Sequence, residues 1–218
     1  MSLVIFDCDG VLVDSEPLVN RIEAEYFTQL GVPMTAREAC EQFKGKTVKQ
    51  VADALQARAG CELSAEFGYD WAMTTALGIV EELQPVPGVN DAIERAKSAG
   101  FAVCVASQSP LPRVRLSLRV AGLQRHFGEN VFTASMVARP KPAPDLFLFA
   151  AQRMGVPPDN AVVIEDSPSG VLAARAAGIR VYGYAASEAA HALESAGATV
   201  FYSMDDLRFD RGLVQDLL

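Results

Sequence analysis

The chain has 218 residues, half of them hydrophobic and 21% charged, enough for one full-sized domain or a domain carrying a smaller insertion. Its 27 acidic and 19 basic residues give a formal net charge of −8. That balance argues against a nucleic-acid binder, which holds phosphates mainly with Lys and Arg, but a local cluster of positive groups can still take a small anion.

The chain runs from Leu3 through Phe6 straight into Asp7, which reads as a strand and not as a signal peptide. No stretch approaches the roughly 20 apolar residues that span a bilayer. Cys8, Cys40, Cys61 and Cys104 lack paired metal-type spacing and lie in or near apolar segments. They read as core filler in a reducing compartment, with a disulfide pair as the alternative, so a cytoplasmic location is expected.

From Ser15 to about Leu83 the patterns are helical. Leu18, Ile22, Tyr26 and Leu30 recur every four residues, with Ser15 as N-cap and Gly31 as stop. Thr35 with Glu38 and Thr47 with Gln50 are spaced as capping boxes, and Ser64 is placed to cap a helix through Trp71 to Leu83. Trp71 and Phe67 fit the apolar face of that helix. The Pro85, Pro87 and Gly88 cluster then ends the helical stretch.

Beyond it, strand-like runs alternate with helical ones. Phe101–Ala106, Val131–Thr133, Ala161–Ile164 and Val181–Tyr184 are short and apolar, as is Leu3–Phe6. Between them stand Val89–Ala99, Leu111–Ala121 and Leu146–Met154, with Gly100, Gly122 and Gly155 where left-handed helix ends are expected. This order predicts an α/β fold, a Rossmann-like doubly wound parallel sheet carrying an inserted small α-helical cap domain. The core is expected over 1–14 and 86–218 and the cap over 15–85, with hinges near Asp14–Pro17 and Gln84–Gly88.

Polar groups gather at the ends of three strands. The first ends in Asp7 and Asp9, two carboxylates at i and i+2 that point the same way, followed by Gly10 for a sharp turn. The second ends at Ser107, followed by Gln108 and Ser109; another ends at Glu165 and Asp166. Between these stands RPKPAPD, with Lys141 between two prolines. A solvated turn explains one such feature and poorly explains four in one order. Clustered carboxylates repel unless a cation sits among them, and all-oxygen ligation suits magnesium. A carboxylate can attack phosphorus, a hydroxyl and an ammonium can hold the transferring oxygens, and a second carboxylate can move the proton.

In order and over the whole chain, these four segments resemble the four motifs of the haloacid dehalogenase superfamily. The helical insertion resembles its small cap. The resemblance implies Asp7 as nucleophile, Asp9 as general acid and base, and Ser107 (with Gln108 beside it) and Lys141 at the phosphoryl group. It implies magnesium held by Asp7, the backbone carbonyl of Asp9, Asp166, and Glu165 directly or through water. The cap would close over the core and exclude bulk water. Asp9 counts against the dehalogenase and phosphonate-cleaving branches, which lack an acid there. The segment FKGKTVKQV resembles the cap loop of the sugar-phosphate mutase and phosphatase branch. The mutase of glucose phosphates carries an Arg where this chain has Val48 and a His where it has Val19, which favours hydrolysis.

Lys44, Lys46 and Lys49 crowd one stretch of an otherwise acidic chain. Lys44 and Lys46, with the helix start at Thr47, are expected to meet an anionic part of the substrate, as in the similar 6-phosphogluconate phosphatases; Lys49 reads as solvated. His126 and His191 read as surface or packing residues, and Arg113 and Arg115 as a solvated helix face. The expected protein is a magnesium-dependent phosphatase of a small phosphorylated metabolite, a monomer or small homo-oligomer with no nucleic-acid or membrane partner. The rival readings are a phosphomutase, a dehalogenase and a catalytically silent binding module.

Overall fold

The computed structural model describes residues 2–43, 46–60, 62–185 and 190–209. The chain divides into two compact units, one formed by Met1–Asp14 with Gln84–Leu218 and the other by Ser15–Leu83. The elements in chain order are β1 (Ser2–Phe6), α1 (Glu16–Gln29), α2 (Ala36–Phe43), α3 (Val48–Ala59), α4 (Phe67–Glu82), α5 (Val89–Ser98) and β2 (Phe101–Ser107). There follow α6 (Leu111–Val120), α7 (Gln124–Phe127), β3 (Val131–Thr133), α8 (Asp145–Arg153), β4 (Ala161–Glu165), α9 (Pro168–Ala176), β5 (Arg180–Tyr184), α10 (Ala190–Ala196) and β6 (Thr199–Phe201).

The sheet unit is a doubly wound α/β structure. Its strands are parallel throughout, in the order β3-β2-β1-β4-β5-β6. β1 and the strands beside it are buried on both faces, hence their near-continuous apolar sequences. On one face Leu3, Ile5, Cys104 and Val163 pack with Leu146, Phe147 and Ala150 of α8 and Val171 and Ala174 of α9. On the other, Phe6 meets Phe127 of α7 edge to face, ring centres 6.1 Å apart. The order reverses between β1 and β4, and open parallel sheets bind ligands at the carboxyl ends of such a switch point. β6, the edge strand beside β5, was not among the expected strands.

The helical unit has an aromatic core. Phe27 of α1 packs edge to face on Phe43 and Trp71, with ring centres 5.4 Å and 5.5 Å away, and Phe67 lies tilted against Trp71. Burying such side chains contributes about 1.5–3 kcal/mol each. Both capping boxes form: Thr35 with Glu38, and Thr47 with Gln50. Two expected caps do not. Ser15 stands before α1 with helical backbone angles (φ −89°, ψ −25°), and a side chain caps from extended backbone, so its hydroxyl makes no capping bond. Ser64 offers Phe67 its carbonyl and not its hydroxyl, and α4 starts at Phe67. The four-residue stripe on α1 is also displaced. Val19, Ile22, Ala24 and Phe27 are buried while Leu18, Tyr26 and Leu30 are only half-buried, because a strict repeat of four drifts off a 3.6-residue turn.

Gly100, Gly122 and Gly155 all have positive φ. Cys8, Cys40 and Cys104 are free thiols, and burial pushes Cys8 and Cys104 above the usual thiol range; Cys61 lies outside the described residues. Among the described residues no helix is long and apolar enough to cross a membrane.

Candidate active site

Asp7 directly follows β1, and its N–H donates to the Ile164 carbonyl at 2.9 Å, so the β1–β4 ladder continues into the site. The chain then turns back on itself: Leu12 and Val13 donate to the Cys8 carbonyl, and Gly10 donates to Val13. Gly10 has φ +82°, and a Cβ there would also collide with the Asp166 carboxylate. Only glycine meets both conditions. That is the local reason for Asp-Cys-Asp-Gly at this strand end.

Lys141 arrives from the loop before α8. The Arg139 guanidinium grips Asp145 with both ends of its fork, at 3.1 Å and 2.9 Å, and Ala143 donates to the Pro140 carbonyl. The Lys141–Pro142 peptide is cis. The side chain is buried, with Nζ 2.7 Å from Asp7 Oδ1 and 2.5 Å from Glu165 Oε1, over the ring of Phe147.

Glu165 ends β4 and is fully buried. Its Oε1 accepts from Lys141, and its Oε2 accepts from the Asp166 N–H, the Ser167 N–H and the Ser167 hydroxyl, at 2.8–2.9 Å. Ser167 also caps α9 by accepting from Gly170, where a Cβ would strike the Glu165 carboxylate. Both Glu165 oxygens are thus engaged, which suits an anchor for Lys141 and the 165–167 turn better than a direct metal ligand.

Ligand oxygens of Asp7, Glu165 and Asp166 all lie within 4.8 Å of one another. Three carboxylates against one ammonium, Lys141, leave two negative charges when all are ionised. Burial pushes the Asp7 carboxyl up to about 7; Lys141 opposes that, while Glu165 and Asp9 add to it. Burial alone would lower Lys141, but Asp7 and Glu165 outweigh it and keep the ammonium protonated. A cluster that holds its charge this reluctantly, with oxygen donors only, fits a hard divalent cation.

Ser107 ends β2, buried, its Oγ accepting from the Ser109 N–H at 3.1 Å. Gln108 is exposed beside it. The Asp9 carboxylate lies outside the close carboxylate group: Ser109 donates to its Oδ2 at 2.7 Å and Arg113 to its Oδ1 at 3.3 Å. Arg113 therefore departs from the expected solvated face, whereas Arg115 pairs with exposed Glu129. The available signal was topological, since the first turn of a helix following β2 starts at the carboxyl edge of the sheet.

In the helical unit, Lys44 lies outside the described residues. Lys46 is exposed, its Nζ 5.6 Å from the centre of the Phe43 ring, and Lys49 pairs with Asp53 on the surface. Thr47 and Gln50 use their own side chains to satisfy each other's N–H at the start of α3. Val48 is about half exposed and Val19 is buried. His126 is buried against Asn90, and His191 is exposed.

A family model for hydrolases, described as haloacid dehalogenase-like hydrolase, matches residues 1–178. The chain is 34% identical to hexitol phosphatase B of Escherichia coli K12 over 178 residues, 81% of this chain and 80% of that one. It is 32% identical over 213 residues to a phosphorylated carbohydrates phosphatase of Thermotoga maritima, covering 95% of this chain and 96% of the other. Among solved structures, a HAD family hydrolase from Deinococcus radiodurans R1 with bound phosphate and sodium is similar at a TM-score of 0.78 and 31% identity, covering 94% of this chain and 92% of that one.

Proposed function

The chain belongs to the haloacid dehalogenase-like hydrolases, and from that premise we propose a magnesium-dependent phosphatase of a small phosphorylated carbohydrate, working through a phosphoaspartate on Asp7. The observation that carries this reading is the joining of buried Asp7, Lys141 and Glu165 with Asp166, drawn from three separated segments to one end of the sheet. Burying such charges is costly, and a site that keeps them there uses them.

Asp7 attacks phosphorus, and the bond to the sugar oxygen breaks. Asp9 gives that oxygen its proton, so a neutral alcohol leaves. Asp9 then takes a proton from water as the water oxygen attacks the phosphoaspartate, and phosphate leaves with the Asp7 carboxylate restored. Lys141 steadies the Asp7 anion, and the Ser107 hydroxyl holds a phosphoryl oxygen, with Gln108 beside it. Asp7, Asp166 and the carbonyl of Asp9 would hold magnesium, with Glu165 behind them; the ion supplies positive charge that favours ionised Asp7 and offsets charge on the phosphoryl group.

The substrate class follows from the names of the relatives: one acts on hexitol phosphates and another on phosphorylated carbohydrates. Lys46, together with Lys44, is the residue of the helical unit proposed to meet the anionic or polar end of such a molecule.

The test is phosphate release from hexose phosphates, hexitol phosphates and 6-phosphogluconate, with and without magnesium. Asp7→Asn is expected to lower release by about 1,000-fold or more. Labelled phosphate from the substrate is expected on the parent protein, released by hydroxylamine. Release that persists in Asp7→Asn, or without any divalent ion, overturns the reading.

A further inference from the structure

A general acid and base works only where its proton is aimed, and a misplacement of about 1 Å can cost on the order of 100-fold in rate. Asp9 stands just before the turn that begins at Gly10, and the Lys141 ammonium holds Asp7 and Glu165. Two donors to the Asp9 carboxylate oxygens, one for each, come from the segment after β2. Ser109 donates to Oδ2 at 2.7 Å, and Arg113 donates to Oδ1 at 3.3 Å.

Both donors are themselves fixed. The Ser109 N–H is tied to the buried Ser107 hydroxyl. Arg113 sits in the first turn of α6, and its Nε is buried with no hydrogen-bond partner among the described residues. An arginine serving only as a surface counter-ion could swing into water and spare itself an orphaned donor. This one stays, about a third exposed, against a carboxylate about a quarter exposed.

We propose that Ser109 and Arg113 are positioning residues for Asp9, one gripping each carboxylate oxygen and holding the side chain at the angle from which its proton is transferred. The proposal rests on the acid–base role given to Asp9 above. It assigns a function to two residues that stand outside the close carboxylate cluster.

The experiment compares kcat/KM for a hexitol phosphate and for p-nitrophenyl phosphate. The hexitol oxygen needs a proton to leave, whereas p-nitrophenolate leaves as the anion. Loss of Asp9 aim therefore falls on the first substrate more than on the second. Arg113→Met and Ser109→Ala are each expected to lower kcat/KM for the hexitol phosphate by about ten- to a hundredfold. The loss on p-nitrophenyl phosphate should be smaller by about tenfold, and Arg113→Lys should recover part of the difference. Ser109→Ala removes a single oxygen and keeps the comparison readable should Arg113→Met fold poorly. Equal losses on both substrates, or a loss confined to KM, would mean packing or substrate contact and overturn the proposal. Asp9→Ala separates the two levels. If it fails to discriminate between the substrates, the acid–base role itself falls; if it discriminates and the other two variants do not, only the positioning role falls.

Discussion

The sheet unit and the helical unit differ most in where they keep their charges. In the sheet unit Asp7, Lys141 and Glu165 are buried within direct hydrogen-bond distance, and all of Glu165's oxygens have donors. In the helical unit the buried polar side chains among the described residues are only Ser15 and Thr75. Its ion pairs, Arg21 with Glu25 and Glu82, Arg37 with Glu41, and Lys49 with Asp53, have side chains at least 42% exposed. The helical unit is held by a dry aromatic core, and its charges can be spared. The sheet unit accepts the desolvation of three charges, which apolar side chains of similar size would avoid. That difference is a mark of chemistry, and it is independent of any motif.

The comparison can be broken first at Lys141. Lys141→Met leaves two buried carboxylates without their cation. It should cost about 3 kcal/mol in chemical denaturation and lower phosphate release by about 100-fold or more. A variant as stable as the parent would show that the pairing does not hold these charges in the core.

A smaller effect should appear with pH. Because burial raises Asp7 to about 7, the folded state keeps a proton that the unfolded chain has already lost. The stability gained is full below the ordinary carboxyl range and is lost as pH rises through about 7. The Tm of the metal-free parent should therefore fall relative to Asp7→Asn between pH 5 and 8, by about 2–6 °C, and magnesium should close the gap at pH 8. The difference between the two proteins is the useful quantity. His126, lowered by burial and by Arg125, works in the opposite sense in both, gaining stability as pH rises. Parallel melting curves would remove Asp7 as the source.

The smallest effect belongs to the surface. Arg37→Ala breaks the exposed pair with Glu41 and should leave stability in chemical denaturation unchanged within error. A loss comparable to that of Lys141→Met there would erase the distinction between the units.

Much of the sheet was legible because its strands are continuous apolar runs stopped by Asp, Ser or Gly. β6 escaped because Thr199–Phe201 opens on an exposed Thr and buries only Phe201, whereas the equally short edge strand β3 is buried throughout. The capping boxes were legible because both partners lie within one turn. Ser15 misled because the residue type fits a cap while the backbone there is already helical. Asp7, Lys141 and Glu165 could be named from strand ends and loop chemistry. The grip on Asp9 could not, since Arg113 lies 104 residues away and looks like any arginine on a solvated helix. The satisfaction of Glu165 by its own turn likewise depends on the folded backbone and not on residue types.

The pairing of β1 has a kinetic side. This strand hydrogen-bonds along one edge to Phe101–Val105 and along the other to Ala161–Ile164. On a ribosome it emerges long before either partner, and closing loops of that length is slow compared with forming local helices. The helical unit, by contrast, draws its core from one contiguous stretch. The Asp7 carboxylate therefore meets Lys141 and Glu165 only when most of the chain has been made, and the site is born late, together with the middle of the sheet.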